Sequence, residues 1–322
     1  MKFVYVLVSS EKDFYAEEAL VSMFTLRKHN PEAEVFLVSD SLTIASLKEK
    51  RGEIKKLTTQ ILKVDAPEDF SLIQKSRFLK TSIREYIKDT FLYIDNDTLI
   101  TGSLDNLKNI TCEVGAVYNQ HKENWNDFKY HPMMLEYKHA TGDNPEEQTK
   151  FSAYFNGGII FSRDTPDAHK FFKKWHELWL KESIKSGFHK DQPTMWHANY
   201  LCGNIITPID GIYNFQAIYP EHSFKYLMNC KIFHYFSSSV IGKNIVFRKP
   251  EFMNYVKTHG IDCYVENCVN NFLSDYIDGL KILADDEIDL YNSPMAVFGR
   301  KVSQRFPSSN KFIKRIFGNK VI

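Results

Sequence analysis

Two aspartates, Asp95 and Asp97, close the apolar run Phe91-Leu92-Tyr93-Ile94. At i and i+2 on extended backbone both carboxylates point to one side, and in open parallel sheets ligands bind just beyond the carboxyl ends of the strands. Hard carboxylate oxygens placed there form a site for Mg²⁺ or Mn²⁺ that keeps positions open for phosphate oxygens. The alternative for the pair is an Asx-rich turn capping a strand. His234 ends a second short apolar run, Cys230–His234. A neutral imidazole is a common partner to carboxylates on a transition metal; standing alone, it would be a satisfied histidine at a strand end.

Two further clusters add to the chemistry. Phe155-Asn156-Gly157-Gly158-Ile159 opens an apolar run with two glycines, where a ligand could approach the backbone closely or the strand could bulge. Lys190-Asp191-Gln192-Pro193 offers a carboxylate beside an amide at a helix start; helix capping alone would also explain Asp191.

The elements that must position these residues alternate in kind. Lys2–Ser10 is a β-branched and aromatic run that suits a central parallel strand covered on both faces. Tyr15–His29 has helical spacing and stops at Asn30-Pro31. Strands follow at Val35–Ser39 and Gln60–Val64, a helix at Ser76–Ile87, and strands at Phe91–Asp95, Val114–Tyr118 and Gly158–Phe161. That rhythm predicts an α/β fold with a mainly parallel sheet flanked by helices. The stretch 119–150 shows no clean period and reads as a functional lid or binding loop, or as an ordinary surface excursion. In Pro166–Ser186 the stripe Phe171, Phe172, Trp175, Leu178 and Trp179 reads as core packing.

Composition removes other classes. The 41 basic residues against 40 acidic give no overall field to draw the chain to nucleic acid. The run Phe3–Val8 is too short for a secretory h-region, and nothing approaches the roughly 18 apolar residues of a membrane span. Five scattered cysteines without a CxxC pair read as idle thiols in a reducing cytoplasm. The charge balance is uneven along the chain: residues 300–322 hold seven basic residues and no acidic one, leaving 34 basic against 40 acidic before them. Lys311–Phe317 has the pattern of a short amphipathic helix for an anionic bilayer; a solvated, frayed terminus is the alternative.

Taken in this order, the pieces resemble the retaining glycosyltransferases of family eight, a GT-A-fold group that includes bacterial lipooligosaccharide galactosyltransferases and glycogenin. The resemblance covers roughly residues 2–245. It rests on the first strand and helix, the Arg77-containing helix, the Asp95/Asp97 strand end, Phe155–Gly158, Asp191-Gln192 and His234. It implies a GT-A domain over 1–245 and a helical extension over 246–322. It further implies that Asp95, Asp97 and His234 hold Mn²⁺ (or Mg²⁺) against the pyrophosphate of a nucleotide sugar. Ser9, Ser10 and Tyr15 would line the base and ribose pocket, Asn96 would border the donor, and Arg77 would sit near its phosphates. Asn156, Gly157 and Gly158 would touch the transferred sugar, with Asp191 and Gln192 beneath its anomeric carbon. The stretch 119–150 would then be an acceptor-side lid, with Trp125, Tyr130, His131, Met133 and Tyr137 suited to stacking on sugar faces. Two departures stand out. Lys12 and Phe14 replace an Asp and an Asn that the family often has before the position of Tyr15, and the family's His-x-x-Gly-x-x-Lys loop becomes the longer segment from His234 to Gly242-Lys243, with Lys243 the candidate phosphate ligand.

The implied activity is metal-dependent hexosyl transfer with retention, from UDP-galactose or UDP-glucose to a glycan or lipid-linked acceptor in bacterial surface glycan synthesis. The implied place is the cytoplasm, at the inner face of the membrane. An inverting transferase with Asp191 as base, and a non-catalytic sugar-nucleotide-binding protein at the membrane, are the alternatives.

Overall fold

The computed structural model describes residues 1–124, 127–128, 131–142, 153–218, 220–237, 245–278 and 293–305. Its strands are β1 Lys2–Leu7, β2 Glu34–Ser39, β3 Gln60–Lys63, β4 Phe91–Ile94, β5 Thr98–Ile100, β6 Val114–Tyr118, β7 Phe155–Ser162, β8 Ile206–Pro208, β9 Phe215–Gln216 and β10 Ile232–His234. Seven form one sheet in the order β3-β2-β1-β4-β7-β6-β8. β1, β2, β3 and β4 run parallel, as do β6 and β8, whereas β7 lies antiparallel to both β4 and β6. The predicted mainly parallel α/β sheet is therefore present, with one reversed strand at its centre. β5, β10 and β9 make a second, small sheet that the sequence pattern did not reveal in full.

Burial explains why these segments became strands. Five of the six β1 residues and all eight of β7 are buried, so both faces of the sheet need helical cover. Tyr15–His29 is helical with the predicted bounds, Glu17 and Glu18 in its first turn and Arg27, Lys28 and His29 in its last, in accord with the helix dipole. The aromatic stripe of the helix Pro166–Lys185 packs into the core, with Phe171, Phe172, Trp175 and Trp179 all buried.

Two expectations change. The helix expected over Ser76–Ile87 starts earlier, at a Ser71/Gln74 capping box, and breaks at Ser82 into Leu72–Thr81 and Ile83–Tyr86. At the break the Ser82 hydroxyl donates back to Phe78 O at 2.7 Å, a local bond that competes with the helical ladder. The stretch 119–150 is not irregular throughout, because Pro132–Thr141 forms a helix with His131 at its N-cap. Met134 and Tyr137 pack there with Phe128, Tyr154, Phe188 and Trp196. Tyr137 is thus a core residue rather than an open sugar platform; Trp125 and Tyr130 lie outside the described residues.

The chain divides into two compact units, Met1–Asn271 and Phe272–Ile322. All the candidate site residues fall in the first. In the second, the helix Pro294–Arg305 holds the start of the basic tail, and residues 306–322 lie outside the described residues. All five cysteines are free. Among the described residues no helix is long and apolar enough to cross a membrane.

Candidate active site

The turn between β4 and β5 carries Asp95 and Asp97, and strand register brings His234 to it from 137 positions away. β10 pairs antiparallel with β5 so that His234 lies opposite Thr98, the neighbour of Asp97, and Tyr235 N–H donates to Asp97 O at 3.1 Å. One donor atom each from Asp95, Asp97 and His234 then lies within 4.8 Å of the others. His234 Nε2 faces Asp97 Oδ1 at 3.2 Å, and Asp97 Oδ2 accepts from Ser237 N at 3.0 Å. Burial pushes the Asp97 carboxyl up, but the charge and hydrogen bond of His234 and the Ser237 N–H outweigh it and hold it at about 2. Tyr93 O–H donates to Asp95 Oδ1; burial first, then the Asp95 charge, raise that phenol well above its ordinary value, so it stays a donor.

Behind His234 runs a chain of buried amides. His234 Nδ1 lies 3.1 Å from Asn214 Oδ1, Asn214 Nδ2 donates to Asn156 Oδ1 at 2.9 Å, and Asn156 Nδ2 donates to Asn119 Oδ1 at 3.2 Å. With Nδ1 donating outward, Nε2 is the atom turned toward the carboxylates, the usual arrangement for a metal-ligating histidine. The ring also stacks on Phe236 at 3.7 Å between centroids, where Phe236 takes a left-handed φ of 53°, a strained conformation for a bulky residue. Gly158 completes the seat: a Cβ there would stand 2.3 Å from His234 Cε1. The β6–β7 register shifts between Ala116 and Tyr118, opposite this part of β7, so the glycine pair sits at a bulge and in a close approach at once. Asn156 is 3% exposed and spends its amide on this chain, facing the histidine.

Asp191 forms a second centre. It begins the helix Asp191–Leu201, and its carboxylate meets Arg77 Nε at 3.2 Å and Lys80 Nζ at 2.9 Å. Burial raises the Asp191 carboxyl, but Arg77 and then Lys80 outweigh it and hold it at about 2. Lys80 also reaches Asp95 Oδ1 at 3.3 Å and stands over the Tyr93 ring at 5.0 Å, joining the two centres. Gln192 Oε1 accepts from Gly157 N at 3.2 Å, while its Nε2 is buried without a partner. Sequence reasoning chose Arg77 and missed Lys80, although i and i+3 share one helix face.

A cleft opens beside these centres, walled by Val6, Val8, Tyr15, Glu18, Arg77, Tyr93, Asp95, Asn96, Asp97 and Ser237 among others. Tyr15 is 41% exposed there. Asn96 donates to Val6 O at 3.0 Å and leaves its Oδ1 buried without a partner. Ser9 and Ser10 are not in that wall. Their hydroxyls donate to Asp13 at 2.6 and 2.8 Å, and the loop is pinned by buried Arg51, which donates to Ser10 O, Asp13 O and both Glu17 carboxylate oxygens. Glu18, also unforeseen, is buried in the cleft wall; burial, then the charge of Asp97, raise its carboxyl well above the usual range. Lys243 lies outside the described residues.

A mainly parallel α/β sheet with acidic residues at the end of a central strand, beside a cleft, defines a nucleotide-sugar transferase of the GT-A fold. The chain belongs to glycosyl transferase family 8, whose family model matches residues 6–240, and it is a glycosyltransferase. Among solved structures it is similar to the galactosyltransferase LgtC in complex with donor and acceptor sugar analogs, at 14% identity and a TM-score of 0.51, covering 83% of this chain and 99% of that one. It is also similar to the bifunctional glycosyltransferase WbbM, at 15% identity and a TM-score of 0.52, over 83% of this chain and 50% of that one. These likenesses are of fold. No curated protein matches the chain in sequence.

Proposed function

We propose that this enzyme transfers a hexose from UDP-galactose or UDP-glucose to a glycan or glycolipid acceptor with retention, using a divalent cation held by Asp95, Asp97 and His234. The observation that carries the reading is the gathering of those three donor atoms within 4.8 Å of one another. Two carboxylates and one imidazole suit a first-row divalent ion, and the imidazole favours Mn²⁺ over Mg²⁺. When bound, such an ion supplies Lewis-acid neutralisation of a diphosphate leaving group.

The chain's own residues supply the rest. Tyr15 offers an exposed ring to the base, and Arg77 a fixed cation to the phosphates. Asp191 keeps a full negative charge beside Gly157 of β7, where the sugar would develop positive charge, and the orphaned Gln192 Nε2 offers a donor to a sugar hydroxyl. A carboxyl held at about 2 by two cations is a weak general base at neutral pH, which favours retention over an inverting reaction based on Asp191. The basic tail would rest on an anionic bilayer in this reading, and liposome flotation of the full chain against a truncation before Arg300 tests that contact.

The main test is UDP release from a panel of UDP-sugars with and without Mn²⁺. Release that depends on Mn²⁺ and disappears in Asp97→Ala is expected. Equal release without metal or in the variant would overturn the metal assignment, and a product of inverted anomeric configuration by NMR would overturn retention.

A further inference from the structure

A second cleft, of about 390 Å³, lies at the opposite end of the sheet from the reaction centre. β4 runs from Phe91 to Ile94, with Asp95 next, and pairs Phe91 with Ser162 at the far end of β7. Arg84, which lines this cleft, grips that far end by donating to Ser162 O at 3.0 Å and Arg163 O at 2.8 Å. Four residues of strand at about 3.3 Å each separate the two ends, so a small ligand here would not touch the Asp95 site.

The wall is cationic. Arg84, Lys88, His169, Lys170 and Lys173 face it against the single carboxylate Glu85. Among the described residues Lys88, Lys170 and Lys173 make no ion pair, whereas His169 is bonded to Asp164 Oδ1 at 2.7 Å. Arg84 is 1% exposed and stacks on Phe91 at 4.3 Å. Its NH1 and NH2 go to neutral carbonyls, the Ser162 hydroxyl and Asp164 at 3.5 Å, and its Nε is buried with no partner. A buried guanidinium with so little anionic compensation, at the edge of a concave surface that presents three unpaired ammoniums, favours a compact, multiply charged anion.

We propose that this cleft binds a phosphate-bearing group, independently of the donor site. Nothing in the transfer reaction uses these residues. The shared ligand chemistry is a phosphate of high charge density, whether free in solution or on a lipid headgroup.

The test uses the full chain without divalent metal. Pyrophosphate binding is measured by calorimetry, and vesicle binding is measured with and without phosphatidate, for the wild type and for Lys170→Glu/Lys173→Glu. Both substituted positions are exposed, and the unfolding midpoint checks that the variant folds. At least a tenfold loss of pyrophosphate affinity in the variant, restored by Lys170→Arg/Lys173→Arg, supports the proposal with a free phosphate as ligand. The same loss confined to phosphatidate vesicles supports it with a lipid source. Equal binding by wild type and charge-reversed variant in both arms, or no binding in either, overturns it.

Discussion

Two carboxylate centres lie side by side in this enzyme with opposite charge balances. At Asp191 one carboxylate meets two cations, Arg77 at 3.2 Å and Lys80 at 2.9 Å. At Asp95 and Asp97 two carboxylates share the single ammonium of Lys80 and the imidazole of His234. The charge of the first centre is compensated from within the chain. The second gathers like charges, which repel until a cation offsets them. It is held together instead by backbone pairing of β5 with β10 and by the amides behind His234. The two centres thus differ in charge balance rather than in residue type.

The most severe way to break this contrast is Lys80→Met, which removes the shared ammonium from both centres. Lys80 is 3% exposed, and loss of one partner from a buried pair costs about 3–5 kcal/mol. Urea unfolding is expected to report a loss of that size; a loss within the ~1 kcal/mol of a surface pair would mean that Asp191 is satisfied by Arg77 alone.

Acid sharpens the contrast next. Because the Asp191 carboxyl is depressed from 3.8 to about 2, its ion pairs add stability that is fully present above the unfolded value and lost as pH falls through the folded one. At 1.36 kcal/mol per unit this is on the order of 2 kcal/mol. The stability gap between wild type and Asp191→Asn is expected to narrow by that order between pH 5 and pH 2, as read from urea unfolding at each pH. A gap that stays constant over that range would contradict the charge assignment.

The smallest effect tests the other centre. Asn214→Ala removes the acceptor that aims His234 and is expected to weaken Mn²⁺ binding by roughly 10–100-fold, the usual cost of losing an outer partner of a ligand. Calorimetric titration with Mn²⁺ measures it. Wild-type affinity would assign the aiming of the ring to its stack on Phe236.

Much of this was legible before folding. Asp95 and Asp97 declare themselves because an apolar strand and two carboxylates two residues apart are local features, and Asn156–Gly158, Asp191 and His234 follow at the ends of readable elements, whereas Arg77, inside the helix Leu72–Thr81, was reached only through the family resemblance. Lys80 was within reach through its i+3 spacing from Arg77. Asn214 and Arg51 were not, since they sit in a short 3-10 turn and an irregular loop and matter only through partners 20 and 34 residues away. The helix Pro132–Thr141 escaped because only Met134 and Tyr137 are buried along it, too few to mark a period.

What the sequence determined by itself was the inventory: the alternation of strands and helices, and which end of which strand carries acid, amide or imidazole. Those properties depend on local periodicity and residue chemistry. Tertiary structure decided the partnerships. Register across β5 and β10 set His234 against Asp97, the reversed β7 laid Gly158 under the imidazole, and one lysine came to serve two carboxylate centres. Pairing between distant segments depends on how buried faces fit together, and no spacing along the chain encodes that fit.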